Sequence, residues 1–142
     1  MGKKRIVKKS GSESEGKRKS KGSSIKRKLD TGTLYINSTY NNTKVAFADS
    51  KGNIVAWSST GSLGFKGAKK GTPFAAAKVG EILGEQVYAM GAREIKVSVK
   101  GVGAGRESSI RGFTSKGLSI SEIKDVTPVP YNGPRPRKPR RV

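Results

Sequence analysis

Between residues 101 and 106 the chain reads Gly101-Val102-Gly103-Ala104-Gly105-Arg106, at a junction where a predicted strand hands over to a predicted helix. Glycines at such a junction leave backbone N–H groups open, and the helix N-terminus adds the positive end of its dipole, so the segment suits a phosphate. Arg106, Ser108, Ser109 and Arg111 follow directly, and their cations and hydroxyls favour a polyanion. A nucleotide enzyme does not fit. The last small-residue position of a dinucleotide fingerprint holds Arg106, and no Gly-Lys-Ser/Thr follows as in a Walker loop. A tight turn before a helix is the plain alternative, and the two readings are compatible.

A second basic segment runs from Thr60 to Gly71, where four glycines surround Phe65, Lys66, Lys69 and Lys70. So many glycines predict a loop without regular structure, and three cations on it predict contact with an anionic ligand rather than a plain linker. Phe65, with few apolar neighbours in sequence, suits stacking on a base. Trp57 lies on a predicted strand and is read as core, and Tyr131 is a lesser stacking candidate. The third segment is the C-terminus, Pro134-Arg135-Pro136-Arg137-Lys138-Pro139-Arg140-Arg141. Prolines hold its charges apart, so Arg135, Arg137, Lys138, Arg140 and Arg141 can follow a phosphate backbone through planar, bidentate contacts.

Acid, base and metal chemistry have little to work with. The chain has no histidine and no cysteine, which removes the usual general base, disulfides and the commonest zinc ligands. Its carboxylates do not pair as acid and base: Asp49 ends a strand, Glu81 and Glu85 lie one helical turn apart, and Glu107 suits a capping role. No catalytic residue, metal site, cofactor or small-molecule substrate is expected. Lys and Arg total 30 against 10 Asp and Glu, a net +20 in 142 residues, and such self-repulsion calls for an anionic partner. No apolar run approaches the length of a membrane span and no secretory segment is evident, so a cytoplasmic protein without a membrane partner is expected.

The elements that must position these segments follow from periodicity. Leu34 and Ile36, then Val45 and Phe47, then Ile54 to Trp57 predict three short antiparallel strands, joined by turns at Asn41-Asn42 and Lys51-Gly52-Asn53. Thr72-Pro73 supplies a cap and a first-turn proline for a helix over about 73–90, with Ala75, Val79, Ile82, Leu83, Val87 and Met90 at helical spacing. Gly80 and Gly84 interrupt it at about 1 kcal/mol each, a cost that close approach to a sheet or another backbone would offset or that the helix simply tolerates. Ile95, Val97 and Val99 alternate in a fourth strand, Arg106 to Lys116 reads as a second helix closed by Gly117, and Leu118 to Val126 as a fifth strand. A helix bridging two strands predicts a crossover, and the fold class is α/β with a mixed five-stranded sheet and two helices.

Composition divides the chain further. Residues 1–30 hold 12 basic and 3 acidic groups and almost no large apolar side chains, which predicts a disordered basic arm. Residues 31–127 form the α/β RNA-binding domain, and residues 128–142, with five of the six prolines, an extended basic tail.

Five spaced segments add a resemblance: Asn41-Asn42-Thr43, Gly64-Phe65-Lys66-Gly67, Thr72-Pro73-Phe74-Ala75-Ala76, Gly105-Arg106-Glu107-Ser108 and Asp125-Val126-Thr127-Pro128-Val129-Pro130. In this order they closely resemble the ribosomal protein S-eleven family, in its bacterial form, over about residues 30–142. The resemblance implies a ribonuclease-H-like arrangement and a structural role on the platform of the small ribosomal subunit. It implies binding to the central domain of small-subunit rRNA, with platform ribosomal proteins as neighbours and the mRNA exit path and exit-site tRNA close by. The rRNA contacts it implies are Asn41, Asn42, Phe65, Lys66, Lys69, Lys70, Gly101, Gly103, Gly105, Arg106, Ser108, Arg111, Asn132 and the tail cations. Val102 and Ala104 stand where the family pattern has prolines. Asn132-Gly133 is prone to succinimide formation, and the resemblance implies an isoaspartate at Asn132.

Two competitors share part of this pattern. A general nucleic-acid packaging protein would carry the charge but needs no ordered glycine segments, and a ribonuclease-H-like enzyme needs converging carboxylates that this chain scatters.

Overall fold

The computed structural model describes residues 29–142; the basic arm expected over residues 1–30 lies outside them except for Leu29 and Asp30. Those two are held on the domain. Leu29 packs against the core, its N–H donates to the Met90 carbonyl at 3.2 Å, and the Asp30 carbonyl accepts from Arg93 N–H at 3.2 Å.

Five strands and two α-helices follow in chain order: β1 Thr31–Ser38, β2 Thr43–Asp49, β3 Ile54–Ser59, α1 Pro73–Ala89, β4 Glu94–Gly101, α2 Gly105–Thr114 and β5 Ser119–Asp125. The sheet order is β3-β2-β1-β4-β5, antiparallel from β1 to β3 and parallel from β1 through β4 to β5. Only β2 runs against the others. This is the mixed five-stranded α/β arrangement expected from the periodicity.

Alternation decides which face is buried. Leu34, Ile36, Val45, Phe47, Ile95, Val97 and Val99 point to one face and meet Val79, Leu83 and Val87 of α1 and Phe113 of α2. Both helices lie on that face, and each full side-chain burial contributes roughly 1.5–3 kcal/mol. Among the described residues, the opposite face has no helix. Trp57, expected in the core, is on it and is 68% exposed, because it pairs in register with Ala46 on the outward parity of β2.

Helix α1 begins as the sequence predicts, with Pro73 in the first turn and the Thr72 hydroxyl accepting from Ala75 N–H at 3.3 Å. Its interior glycines have a packing reason. A Cβ on Gly80 would meet the Ser109 carbonyl and lie 2.9 Å from Phe113 N, and one on Gly84 would lie 2.9 Å from the Phe113 carbonyl. The α1 and α2 backbones therefore touch along Ala76, Ala77, Gly80 and Gly84 against Gly105, Ser109, Gly112 and Phe113. The segment before α1, expected to be irregular throughout, closes with a short 3-10 turn, Gly67–Gly71.

Candidate nucleic-acid interface

Three loops meet at the end of the sheet where β1 and β4 finish. Ser38 pairs with Gly101 there, and Gly103 N–H donates to the Ser38 carbonyl at 3.0 Å. The 39–42 turn closes through Thr39 N–H to the Asn42 carbonyl at 2.8 Å. The basic loop joins it through Thr60, whose hydroxyl donates to Asn42 Oδ1 at 2.5 Å, and a Cβ on Gly71 would strike the Tyr40 carbonyl. Since α1 and α2 start beside Gly71 and Ser38, both helix N-termini open at this end, where their dipoles favour an anion.

The glycine turn is built differently from the open amide cradle that its sequence suggests. Gly101 has φ +106, and its Cα lies against the Ser38 backbone with no room for a side chain. Its N–H donates to the Thr127 hydroxyl at 3.2 Å, and that of Gly103 is taken by Ser38. Gly105 is buried against Thr43 and Ala76. Gly101 and Gly103 therefore allow close approach of backbones, and their amides are not free for phosphate. What remains open is the first turn of α2, which no side chain caps.

Arg106 is likewise committed. Its guanidinium donates to the Gly101 carbonyl and to the Thr127 hydroxyl at 3.1 Å, and pairs with Asp125. Thr127 in turn donates its hydroxyl to Asp125 at 2.6 Å and its N–H at 2.9 Å. These bonds, led by those of Thr127, hold the Asp125 carboxyl well down, at about 2. The group forms a clasp that fixes where the C-terminal tail leaves the sheet. Ser108, another expected contact, has a shielded hydroxyl with no partner among the described residues, so that hydroxyl is not presented to a ligand.

The remaining candidates are presented. Lys66 and Lys69 are exposed, Lys70 is half-buried with its stem along Gly61, and Asn41 is exposed while Asn42 is held by Thr60. Arg111 is exposed and paired with Glu107. Arg135, Arg137, Lys138, Arg140 and Arg141 are exposed, as is Asn132, which takes the left-handed conformation at φ 66. Ion pairs among the described residues engage Glu81, Glu85, Glu107, Glu122 and Asp125, none of them with Lys66, Lys69, Lys70 or a tail cation. Phe65 is half-buried because its ring meets Phe74 edge-on, with centroids 6.2 Å apart.

A family model described as ribosomal protein S11 matches residues 32–141, from the second residue of β1 to the tail arginines. The chain belongs to the ribosomal protein S11 family. As a member it is a structural, non-enzymatic protein of the small ribosomal subunit that binds rRNA, and it has other ribosomal proteins as partners. Its place is the cytoplasm, as part of the ribosome. Among the described residues, no helix is long and apolar enough to cross a membrane.

Sequence reasoning misses one aromatic at this end of the S11 domain. Phe74 stands out in the sequence only as part of a motif, yet its ring is 65% exposed beside the lysine loop, with Lys78 Nζ 5.9 Å from its centroid. Its place one residue after Pro73, off the Ala75, Val79, Leu83 stripe, is the available signal.

Proposed function

We propose that this S11 protein holds the central domain of small-subunit rRNA on the platform, beside the mRNA exit path and the exit-tRNA site, and so supports subunit assembly. The observation that carries the RNA contact is the convergence at one sheet end of Lys66, Lys69 and Lys70, the exposed Phe74, Asn41 and the uncapped first turn of α2. The resemblance to bacterial family members supplies the placement on the platform. The domain of residues 31–127 carries this surface, and the tail of residues 128–142 reaches from the Arg106–Asp125 clasp to further phosphates.

Within this reading the expected contacts divide by role. Lys66, Lys69, Lys70, Arg111, Arg135, Arg137, Lys138, Arg140 and Arg141 bind phosphates; Asn41, Asn132, Phe65 and Phe74 touch bases or sugars. Gly101, Gly103, Gly105, Arg106, Ser108 and Asn42 shape the backbone that presents them. Ultraviolet crosslinking in growing cells, denaturing purification and sequencing of the attached RNA test the proposal. Crosslinks concentrated in the central domain support it; crosslinks confined to another rRNA domain, or spread over many transcripts, overturn it.

A further inference from the structure

The face of the sheet opposite the helices carries a row of outward side chains that runs across all five strands. Register places Trp57 beside Ala46, Ala46 beside Tyr35, Tyr35 beside Ser98 and Ser98 beside Lys124. The neighbouring row toward Ser38 places Lys44 beside Asn37 and Asn37 beside Lys100. Trp57 is 68% exposed and Tyr35 47%. Two strand spacings separate these rings, roughly 10 Å, and Ala46 leaves the gap between them low.

We propose that this open face is a second RNA surface, on which two unpaired bases stack, one on Tyr35 and one on Trp57, while Lys44, Lys100 and Lys124 hold the adjoining phosphates. Charge favours RNA over a protein as occupant. These two rows hold three lysines and no carboxylate; Glu122, in the next row, is 3.3 Å from Lys96, which offsets its charge, and Glu94 lies one row further away. A single strand is favoured over a duplex, because two exposed aromatic rings on a sheet offer stacking that only unpaired bases can accept. The basic rows also run up to Ser38 and Gly101, so one RNA can pass from the loop end onto the sheet.

The proposal rests on the RNA-binding reading, and Trp57 separates the two. It is the only tryptophan in the chain, so its emission reports this face alone. The full chain is titrated with a labelled single-stranded RNA octamer and a blunt RNA duplex, following anisotropy for binding and Trp57 emission for stacking. The expected result is quenching by the single strand and not by the duplex. Tyr35→Ala should weaken octamer binding about tenfold and Tyr35→Phe should restore it. Lys66→Gln/Lys69→Gln should weaken duplex binding without abolishing the quench. Octamer binding with unchanged Trp57 emission and no effect of Tyr35→Ala overturns the inference and leaves the loop interface standing. Absence of RNA binding in both titrations overturns the two together. In intact subunits, chemical crosslinks from Lys44, Lys100 and Lys124 to a neighbouring protein would show that a protein covers the face, and would also overturn it.

Discussion

Gly80→Ala tests a close backbone contact between the two helices. In an isolated helix the change would stabilise by about 1 kcal/mol, since alanine is the better helix former. In this protein the new Cβ would collide with the Ser109 carbonyl and lie 2.9 Å from Phe113 N, and both belong to the backbone of α2. Neither atom can rotate away, so the two helices must part. Overpacking of this kind costs roughly 1–3 kcal/mol, and loosening of the seam along Ala76 and Ala77 adds to it. A net destabilisation of about 2 kcal/mol is expected, which for a domain near 100 residues is a fall in Tm of roughly 8–16 °C. Gly84→Ala is the control. Its Cβ also nears a backbone atom, the Phe113 carbonyl at 2.9 Å, but its next neighbour is the flexible Lys116 stem at 3.1 Å, so its loss should be smaller. Thermal and urea unfolding of the full chain, followed by circular dichroism, read both changes. A Gly80→Ala protein as stable as the parent would refute the claim that backbone contact, and not tolerance, keeps glycine in α1.

Three other outcomes are expected. The Asp125 carboxyl is held at about 2 against an ordinary 3.8; a depressed carboxylate stabilises the fold fully above its unfolded value and loses that contribution as pH falls, here between about pH 4 and 2. Carboxyl NMR should give that low midpoint, and a midpoint near 4 would show that the clasp with Arg106 and Thr127 is not formed. Replacing Arg135, Arg137, Lys138, Arg140 and Arg141 with glutamine should flatten the slope of log affinity against log salt by roughly 0.7–0.9 for each phosphate no longer neutralised, and an unchanged slope would mean the tail holds no phosphate. Asn132 is exposed and precedes Gly133, whose N–H no side chain shields in sequence; peptide mapping of aged protein should find isoaspartate there, and only unmodified Asn132 would exclude it.

The sheet is legible in the sequence because its signal is local. Strict alternation in β4 and the capped stripe of α1 give strand, helix and buried face without knowledge of partners. Trp57 escapes for the opposite reason. Residues Ile54 to Trp57 are continuously apolar, so nothing within β3 distinguishes inside from outside, and only the pairing of Trp57 with Ala46 does so. The site is legible in composition but not in division of labour. Arg106 and Lys66 are alike as cations in a glycine-rich setting, yet Asp125 and Thr127, distant in sequence, claim Arg106 and leave Lys66 exposed. The same holds for Gly101 and Gly103, whose amides look open until Thr127 takes the first and Ser38 of β1 the second.

The place of β1 at the centre of the sheet bears on how the chain is made. Leu34 and Ile36 are in place early, with β2 supplying Phe47 and Val45 opposite, but their parallel partners are Val97 and Val99. Until β4 leaves the ribosome that synthesises it, the three-stranded meander has an open hydrogen-bonding edge on β1 and an incomplete apolar face. Such an edge invites pairing with another chain, and non-local parallel pairing forms slowly. A newly made copy is therefore most vulnerable during the interval between synthesis of β3 and completion of β4, and a chaperone or early contact with RNA would protect it most in that interval.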